Sequence, residues 1–451
     1  MMKVSALVRR CAAVTAGAAA LLLASNAAFA GKQLPGAIPS EKVSPAAQPN
    51  STARFGCELR PFDLSKGLFC YGPDAIRKAY GINALINKGF TGKGRTIVII
   101  DAFGSPTVAA DLTTFDGIFG LPDPTFSVVT MPGTPPFDPT NADMVGWTGE
   151  IALDTQWAHA VAPEAKIVLV AAKSDFDEDL IAALNYALDH HLGDVVSMSF
   201  GESEAFLGNP DGLDTVAAWQ SAFQKARQQH VTLFASSGDS GSTNPMDADG
   251  NVLPFQNVSW PASSPLVTSV GGTNLFFGTT TNADPNGTYQ GEQVWNDGFG
   301  AGGGGMSSLI DEPLYQLAAV GSSVNKTLHK HRGIPDVAYN AGVAGGVIAV
   351  WGPGGGCCFI FGGTSAGAPQ WSGIIADLDQ IRGRPMGFLN DRLYFLGGFG
   401  ALSNLFHDVR AGDNAFGGQP GYPAKPGYDL ATGWGTPNFG LLGTLLADPN
   451  D

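Results

Sequence analysis

Apolar residues in this chain fall into short unbroken runs, separated by stretches that are apolar at every third or fourth position. Thr96-Ile97-Val98-Ile99-Ile100-Asp101 is such a run. It is short and β-branched, as expected of a strand covered on both faces in a parallel sheet. Lys166–Ala171, Asp194–Phe200, Val231–Ser236 and Leu266–Val270 repeat the form. Helical spacing lies between them at about 145–160, 177–191 and 213–229, and an earlier helical pattern follows Cys70-Tyr71-Gly72-Pro73, with Ile76, Ala79 and Tyr80 apolar. Strand–helix alternation of this kind predicts an α/β fold with a mostly parallel sheet flanked by helices. In such sheets functional groups gather at the carboxyl ends of the strands. Asp101, Ser199 and Asp239 all lie at or just beyond such ends, so one shared edge is expected for them. The glycine-rich runs Gly298–Gly305 and Gly352–Gly356 mark loops or close backbone approach.

Composition narrows the class. Of 451 residues, 44% are hydrophobic and only 14% charged, with 61 Gly and 30 Pro, which favours a compact, loop-rich body. A formal charge of −15 argues against nucleic acid as a partner. Lys3, Arg9 and Arg10 precede an apolar run through Ala12–Ala24, and Ala28-Phe29-Ala30 has the form of a cleavage site. Residues 1–30 therefore read as a secretory signal, residues 31–69 as a flexible leader or short propeptide, and 70–451 as the functional domain. The product expected is a secreted protein, extracellular or periplasmic, with no membrane association after signal removal. Cys11 leaves with the signal. Cys57 and Cys70 could pair in an oxidising compartment. A bond between the neighbours Cys357 and Cys358 is strained, and free thiols are at least as expected there.

The first candidate for chemistry is Ser365, in Gly362-Gly363-Thr364-Ser365-Ala366-Gly367-Ala368-Pro369. A serine opening a helix sits where the helix dipole and free N–H groups favour an anion, although the same position also suits a plain helix cap. A serine nucleophile needs a base. None of His159, His190, His191, His230, His329, His331 and His407 lies in the His-Gly-Thr-His setting of a subtilisin. Carboxylates are the alternative. Glu150 and Asp154 are four residues apart, on one face of a helix. Buried together, two such groups share a proton and titrate as a unit. Asp239, in Ser236-Ser237-Gly238-Asp239-Ser240-Gly241 after a strand, is either an Asx turn or a protonated acid able to donate to an oxyanion.

The ordered set Glu-x-x-x-Asp, Ser-Gly-Asp-Ser-Gly and Gly-Thr-Ser-x-x-x-Pro resembles the sedolisins, the serine-carboxyl peptidases. Val196-Ser197-Met198-Ser199-Phe200-Gly201, Trp260-Pro261-Ala262-Ser263-Ser264-Pro265 and Arg332-Gly333-Ile334-Pro335-Asp336 add to the likeness, which runs from about residue 70 to the C-terminus. The resemblance implies a subtilisin-like fold, with helices on both faces of the sheet, and an acid-active endopeptidase or tripeptidyl-peptidase. It implies Ser365 as nucleophile, Glu150 as base, Asp154 sharing the proton of Glu150, and Asp239 at the oxyanion. Asp101 resembles an acid extending the carboxyl network. Ser199 and Gly201 resemble the strand that pairs with extended substrate. One structural Ca2+ is implied, held by Asp408, Asp429 and the carbonyls of Val409, Lys425 and Gly427. Lys425 stands where the family often has Gly, and its charge is expected to weaken the ion.

Two further departures bear on function. Many sedolisins carry a large N-terminal prodomain, whereas only residues 31–69 stand between signal and domain here, so a different activation route, a short removable leader or no zymogen is expected. Phe200 occupies a place where many members have Trp. A calcium-stabilised binding module without activity and a Ser-His-Asp hydrolase using Asp101 and Ser365 are the competing readings. The expected partners are protein or peptide substrates, and the expected state is a monomer.

Overall fold

The computed structural model describes residues 38–39, 42–45, 55–59, 68–243, 251–277, 287–398, 404–440 and 443. The expected signal, residues 1–30, lies outside them. Eight strands form the central sheet. In spatial order seven of them are Tyr289–Val294, Thr268–Phe277, Thr232–Ser236, Val195–Met198, Thr96–Ala102, Lys166–Ala172 and Phe126–Thr130, and Val337–Asn340 also pairs with Thr268–Phe277. Every pairing is parallel except that of Tyr289–Val294.

Burial on both faces explains the unbroken apolar runs. Ile97 and Ile99 pack into one core cluster while Val98 and Ile100 pack into another, as alternate strand positions must. The helices Ala142–Val161 and Gly367–Arg382 pack together on the first face. Asp177–Asp189 and Pro210–Gln228 pack together on the second. Chain order reverses direction across the sheet between Thr96–Ala102 and Val195–Met198, which leaves a crevice beyond their carboxyl ends.

Three sequence expectations need correction. The run Asp194–Phe200 is two strands: Val195–Met198 stays in the main sheet, while Phe200–Ser203 pairs antiparallel with Ser259–Trp260. The break falls at Ser199, and hydrophobicity alone does not mark a change of partner. The run from Leu266 to Val270 is the start of a longer strand, Thr268–Phe277. The helix expected at 145–160 begins at Ala142, where the Asn141 side chain accepts from the N–H groups of Asp143 and Met144. From Trp147 to Val161 this helix is buried all round, so no amphipathic stripe marks its start.

Parts of the residue 31–69 segment are also placed. Ile38–Pro39 pairs antiparallel with Phe200–Gly201, and Lys42–Pro45 with Phe359–Gly362. Disulfides join Cys57 to Cys70 and Cys357 to Cys358. The second replaces the equal expectation of free thiols at that pair.

Candidate active site

Ser365 lies in a single 3-10 turn, Thr364–Ala366, that leads into the helix Gly367–Arg382. Gly363 precedes it at φ 98°, a left-handed conformation that glycine adopts without strain. Ser365 is fully buried and does not cap the helix. Its Oγ donates instead to the backbone carbonyl of Ser199, at 3.2 Å. Pro369, third in the helix, occupies a position without an intrahelical N–H partner.

Glu150 and Asp154 sit one turn apart on the buried helix Ala142–Val161, which packs directly against the Ser365 turn. Both are inaccessible to solvent. Ser199 joins the two sides of the site: its hydroxyl donates to Asp154 Oδ1 at 2.9 Å while its carbonyl receives Ser365 Oγ. The break in the strand at Ser199 frees both groups for this bridge.

Asp239 enters from the loop after Thr232–Ser236. Its Oδ1 accepts from the backbone N–H of Thr364 at 2.8 Å and from the Thr364 hydroxyl at 2.9 Å. The glycine-rich run crosses directly over this loop, with Gly303 N–H donating to the Gly238 carbonyl at 2.7 Å. A side chain at Gly303 would collide with the Ser237 backbone, so the close approach read from the sequence is real. Asp101 is fully buried, next to last in its strand Thr96–Ala102 and on the same sheet edge. The edge expected for Asp101, Ser199 and Asp239 is thus present.

Among the described residues, the partner of Ser365 Oγ is the Ser199 carbonyl and not a histidine. His159 is buried at the far end of the Glu150 helix, 3.2 Å from Asp116 Oδ1. His191 and His230 line a cavity with Thr96, Asp194 and Val231, at the amino ends of the strands. His407 stacks on Tyr289, and burial pushes its imidazole down to about 4. Among the described residues, no hydrogen bond joins a histidine to Ser365, as a Ser-His-Asp arrangement would require.

Gly201 follows in the strand Phe200–Ser203. A Cβ there would run into Ser259 Oγ, which explains why glycine is needed. Phe200 is buried between Trp147 and Trp219, with ring centroids 5.9 and 6.3 Å away. Next to it, burial pushes the Glu202 carboxyl well above the usual carboxylate range, and the adjoining Asp177 carboxyl adds to the rise. Trp219 Nε1 donates to Asp177 Oδ1. This carboxyl pair, and Thr364, were not singled out from sequence. Both become visible only when residues far apart in the chain are brought together.

Asp408 and Asp429 meet at the loop 425–429. Asp429 Oδ2 accepts from Lys425 N–H at 2.8 Å, and both Asp408 oxygens accept from Gly427 N–H at 3.2 Å. Burial pushes the Asp429 carboxyl up to about 6. Among the described residues no group of three or more His, Cys, Asp or Glu side chains is arranged for a metal. Two carboxylates with loop carbonyls are still a hard oxygen set suited to Ca2+. The cation found on Asp408 is Arg410, at 2.7 Å, a residue the sequence gave no reason to single out.

Residues 145–385 match the subtilase family, and the fold and site place the chain in that family. Kumamolisin of Bacillus sp. (strain MN-32) is 34% identical over 386 residues, covering 83% of this chain and 64% of that protein. Sedolisin of Pseudomonas sp. (strain 101) is 34% identical over 277 residues, covering 59% of this chain and 43% of that protein. The chain thus spans less than two thirds of the length of these curated relatives. A solved structure, Pseudomonas sedolisin (serine-carboxyl proteinase) complexed with two molecules of pseudo-iodotyrostatin, superposes with a TM-score of 0.71 at 27% identity. It covers 85% of this chain and 99% of that one. Within the subtilases, the chain belongs to the sedolisin family.

Proposed function

We propose that this chain is a secreted, acid-active endopeptidase that cleaves peptide bonds with Ser365 as nucleophile. The observation that carries the reading is the bridge through Ser199, which ties Asp154 and Ser365 to one residue at the sheet edge. Glu150, on the helix packed against the Ser365 turn, takes the hydroxyl proton as Oγ attacks the substrate carbonyl. Asp154 shares that proton in the buried pair. Asp239, in its acid form, donates to the oxyanion of the tetrahedral intermediate. Asp101 extends the carboxyl network from its strand end. The proton then passes from Glu150 to the leaving amine, and water repeats the sequence on the acyl-enzyme.

Substrate enters as an added strand along Ser199–Gly201. The pairing of Ile38–Pro39 with Phe200–Gly201 supports this, because an extended segment already fits that edge. The same segment continues to Lys42–Pro45 beside Phe359–Gly362, the strand that leads into Ser365. A groove that takes chain on both sides of the nucleophile favours endopeptidase action over tripeptidyl-peptidase action. The kinship with tripeptidyl-peptidase 1 of Rattus norvegicus, 33% identical over 277 residues, keeps the latter as the second reading.

Export follows the signal read at residues 1–30, with 31–69 as the leader and 70–451 as the peptidase domain. No helix among the described residues is long and apolar enough to cross a membrane. The protein acts as a monomer on protein or peptide substrates. One structural Ca2+ would be held by Asp408, Asp429 and the carbonyls of Val409, Lys425 and Gly427, and would supply a tie between the two C-terminal loops.

The test is a pH–rate profile on an unstructured protein substrate, with Ser365→Ala and Glu150→Gln beside the parent. Activity is expected in acid and to fall toward neutrality, with a loss on the order of 10³-fold or more in each variant. Activity that rises toward pH 8 and is untouched by Glu150→Gln would overturn the carboxyl mechanism. Product sizes from the same substrate separate the two cleavage modes.

A further inference from the structure

We infer that Thr364 is a positioning residue that decides which oxygen of Asp239 carries the acid proton. The inference rests on the reading of Asp239 as donor to the oxyanion. A carboxylic acid has one accepting oxygen and one donating oxygen, and only the second can serve an oxyanion. The backbone N–H of Thr364 is 2.8 Å from Asp239 Oδ1, and an N–H can only donate. The Thr364 hydroxyl is 2.9 Å from the same oxygen. That hydroxyl already accepts from Gly238 N–H at 2.9 Å, which turns its own hydrogen toward Asp239. Two donors from one residue therefore converge on Oδ1, and the proton of the acid is left on Oδ2.

The chain geometry makes this device specific to the site. Thr364 adjoins Ser365, so the nucleophile and the tether of the oxyanion donor share one 3-10 turn. Gly238, whose N–H orients the Thr364 hydroxyl, adjoins Asp239. The two loops thus fix each other through three hydrogen bonds around the Thr364 side chain and its amide. Thr364 is fully buried, so water does not replace the hydroxyl if it is removed. Its methyl group lies on Gly272, where an added Cβ would come within 3.2 Å of it.

Thr364→Val keeps that methyl contact and removes the hydroxyl, while Thr364→Ser keeps the hydroxyl and removes the methyl. Both are compared with the parent in steady-state kinetics at the pH of maximal activity. Inhibition by a peptide aldehyde is measured alongside, because its adduct with a serine presents an oxygen to the oxyanion site. For Thr364→Val, kcat is expected to fall on the order of 10- to 100-fold with KM within about twofold. Aldehyde affinity should fall by a similar factor. Thr364→Ser should stay within about threefold of the parent in both. Parental kcat and aldehyde affinity in a folded Thr364→Val protein would overturn the inference. So would a loss on the order of 10-fold or more in kcat and aldehyde affinity for a folded Thr364→Ser protein, and this arm stands even if the valine variant fails to fold. Asp239→Ala is run in parallel. Full activity there would sink the oxyanion reading itself, whereas an inactive Asp239→Ala beside a parental Thr364→Val sinks only the role given to Thr364.

Discussion

Gly201 has no side chain to contribute, yet two neighbours depend on that absence. Its missing Cβ leaves room for Ser259 Oγ on the adjoining strand, and its backbone pairs with Ile38. Gly201→Ala forces those strands apart at a point where both are buried. Overpacking of this kind costs about 1–3 kcal/mol. Urea denaturation should register that loss, and KM should rise because the proposed substrate edge moves with the strand. Unchanged stability and KM would mean that the two strands part freely. At this scale the sequence marked the residues proposed to carry chemistry. Ser365, Glu150, Asp154 and Asp239 are short motifs whose residue types restrict what they can do. It did not mark Thr364, Ser259 or Arg410. A threonine or arginine takes its role from the neighbour it meets, and here Asp239 and Thr364 are 125 residues apart in sequence.

Among the elements, the C-terminal loops offer a direct test of the proposed ion. Asp429 closes loop 425–429 and Asp408 accepts from its Gly427 N–H; N–H groups already satisfy both carboxylates, and Arg410 also pairs with Asp408. For Asp408 to hold Ca2+, the Arg410 guanidinium would have to leave it. Arg410 is well exposed and leaves at little cost, since surface pairs of this type contribute about 0–1 kcal/mol. Thermal melts of the Ser365→Ala protein with Ca2+ and with a chelator should differ, and Asp429→Asn should abolish the difference. Arg410→Ala should widen it. Identical melts in all conditions would remove Ca2+ from the proposal. The strands and helices of the main sheet were legible because each has its own signature: continuous β-branched runs for the doubly covered strands, and helical spacing between them. The errors came where an element was defined by its partner. The strand break at Ser199 and the start of the helix Ala142–Val161 are both of this kind, one a change of pairing and the other an exposed first turn fixed by the Asn141 cap ahead of a stretch buried all round.

For the whole molecule, buried carboxyls set the pH range of stability. Burial pushes Asp379 up to about 8, with Asp194 adding to the rise. Asp377 is pushed well above the usual range by burial, against the pull of Arg77. Glu202 is raised by burial and by Asp177. Each binds its proton more tightly folded than unfolded. Their contribution is therefore complete below the ordinary carboxylate range and is lost as pH rises through the folded-state values. His407 works in the opposite sense: lowered to about 4, it contributes above its ordinary value and loses that contribution as pH falls. With raised buried carboxyls, Asp429 among them, outnumbering the lowered histidine, the Tm of the Ser365→Ala protein should fall between pH 5 and 8, on the order of 5 °C or more. A Tm that stays flat or rises over this range would contradict the balance. The proposed chemistry needs acid for the same reason, because Asp239 must hold a proton to donate one. The sequence by itself determined the α/β alternation, the sheet edge on which Asp101, Ser199 and Asp239 fall, and the motif order of the sedolisin family. These are local properties, written in periodicity and in residue type. Only the tertiary structure decided that Ser199 bridges Asp154 and Ser365, that Thr364 holds Asp239, and which carboxyls are buried deeply enough to keep their protons. Contacts and desolvation depend on packing between segments far apart in the chain, and no run of neighbouring residues encodes them alone.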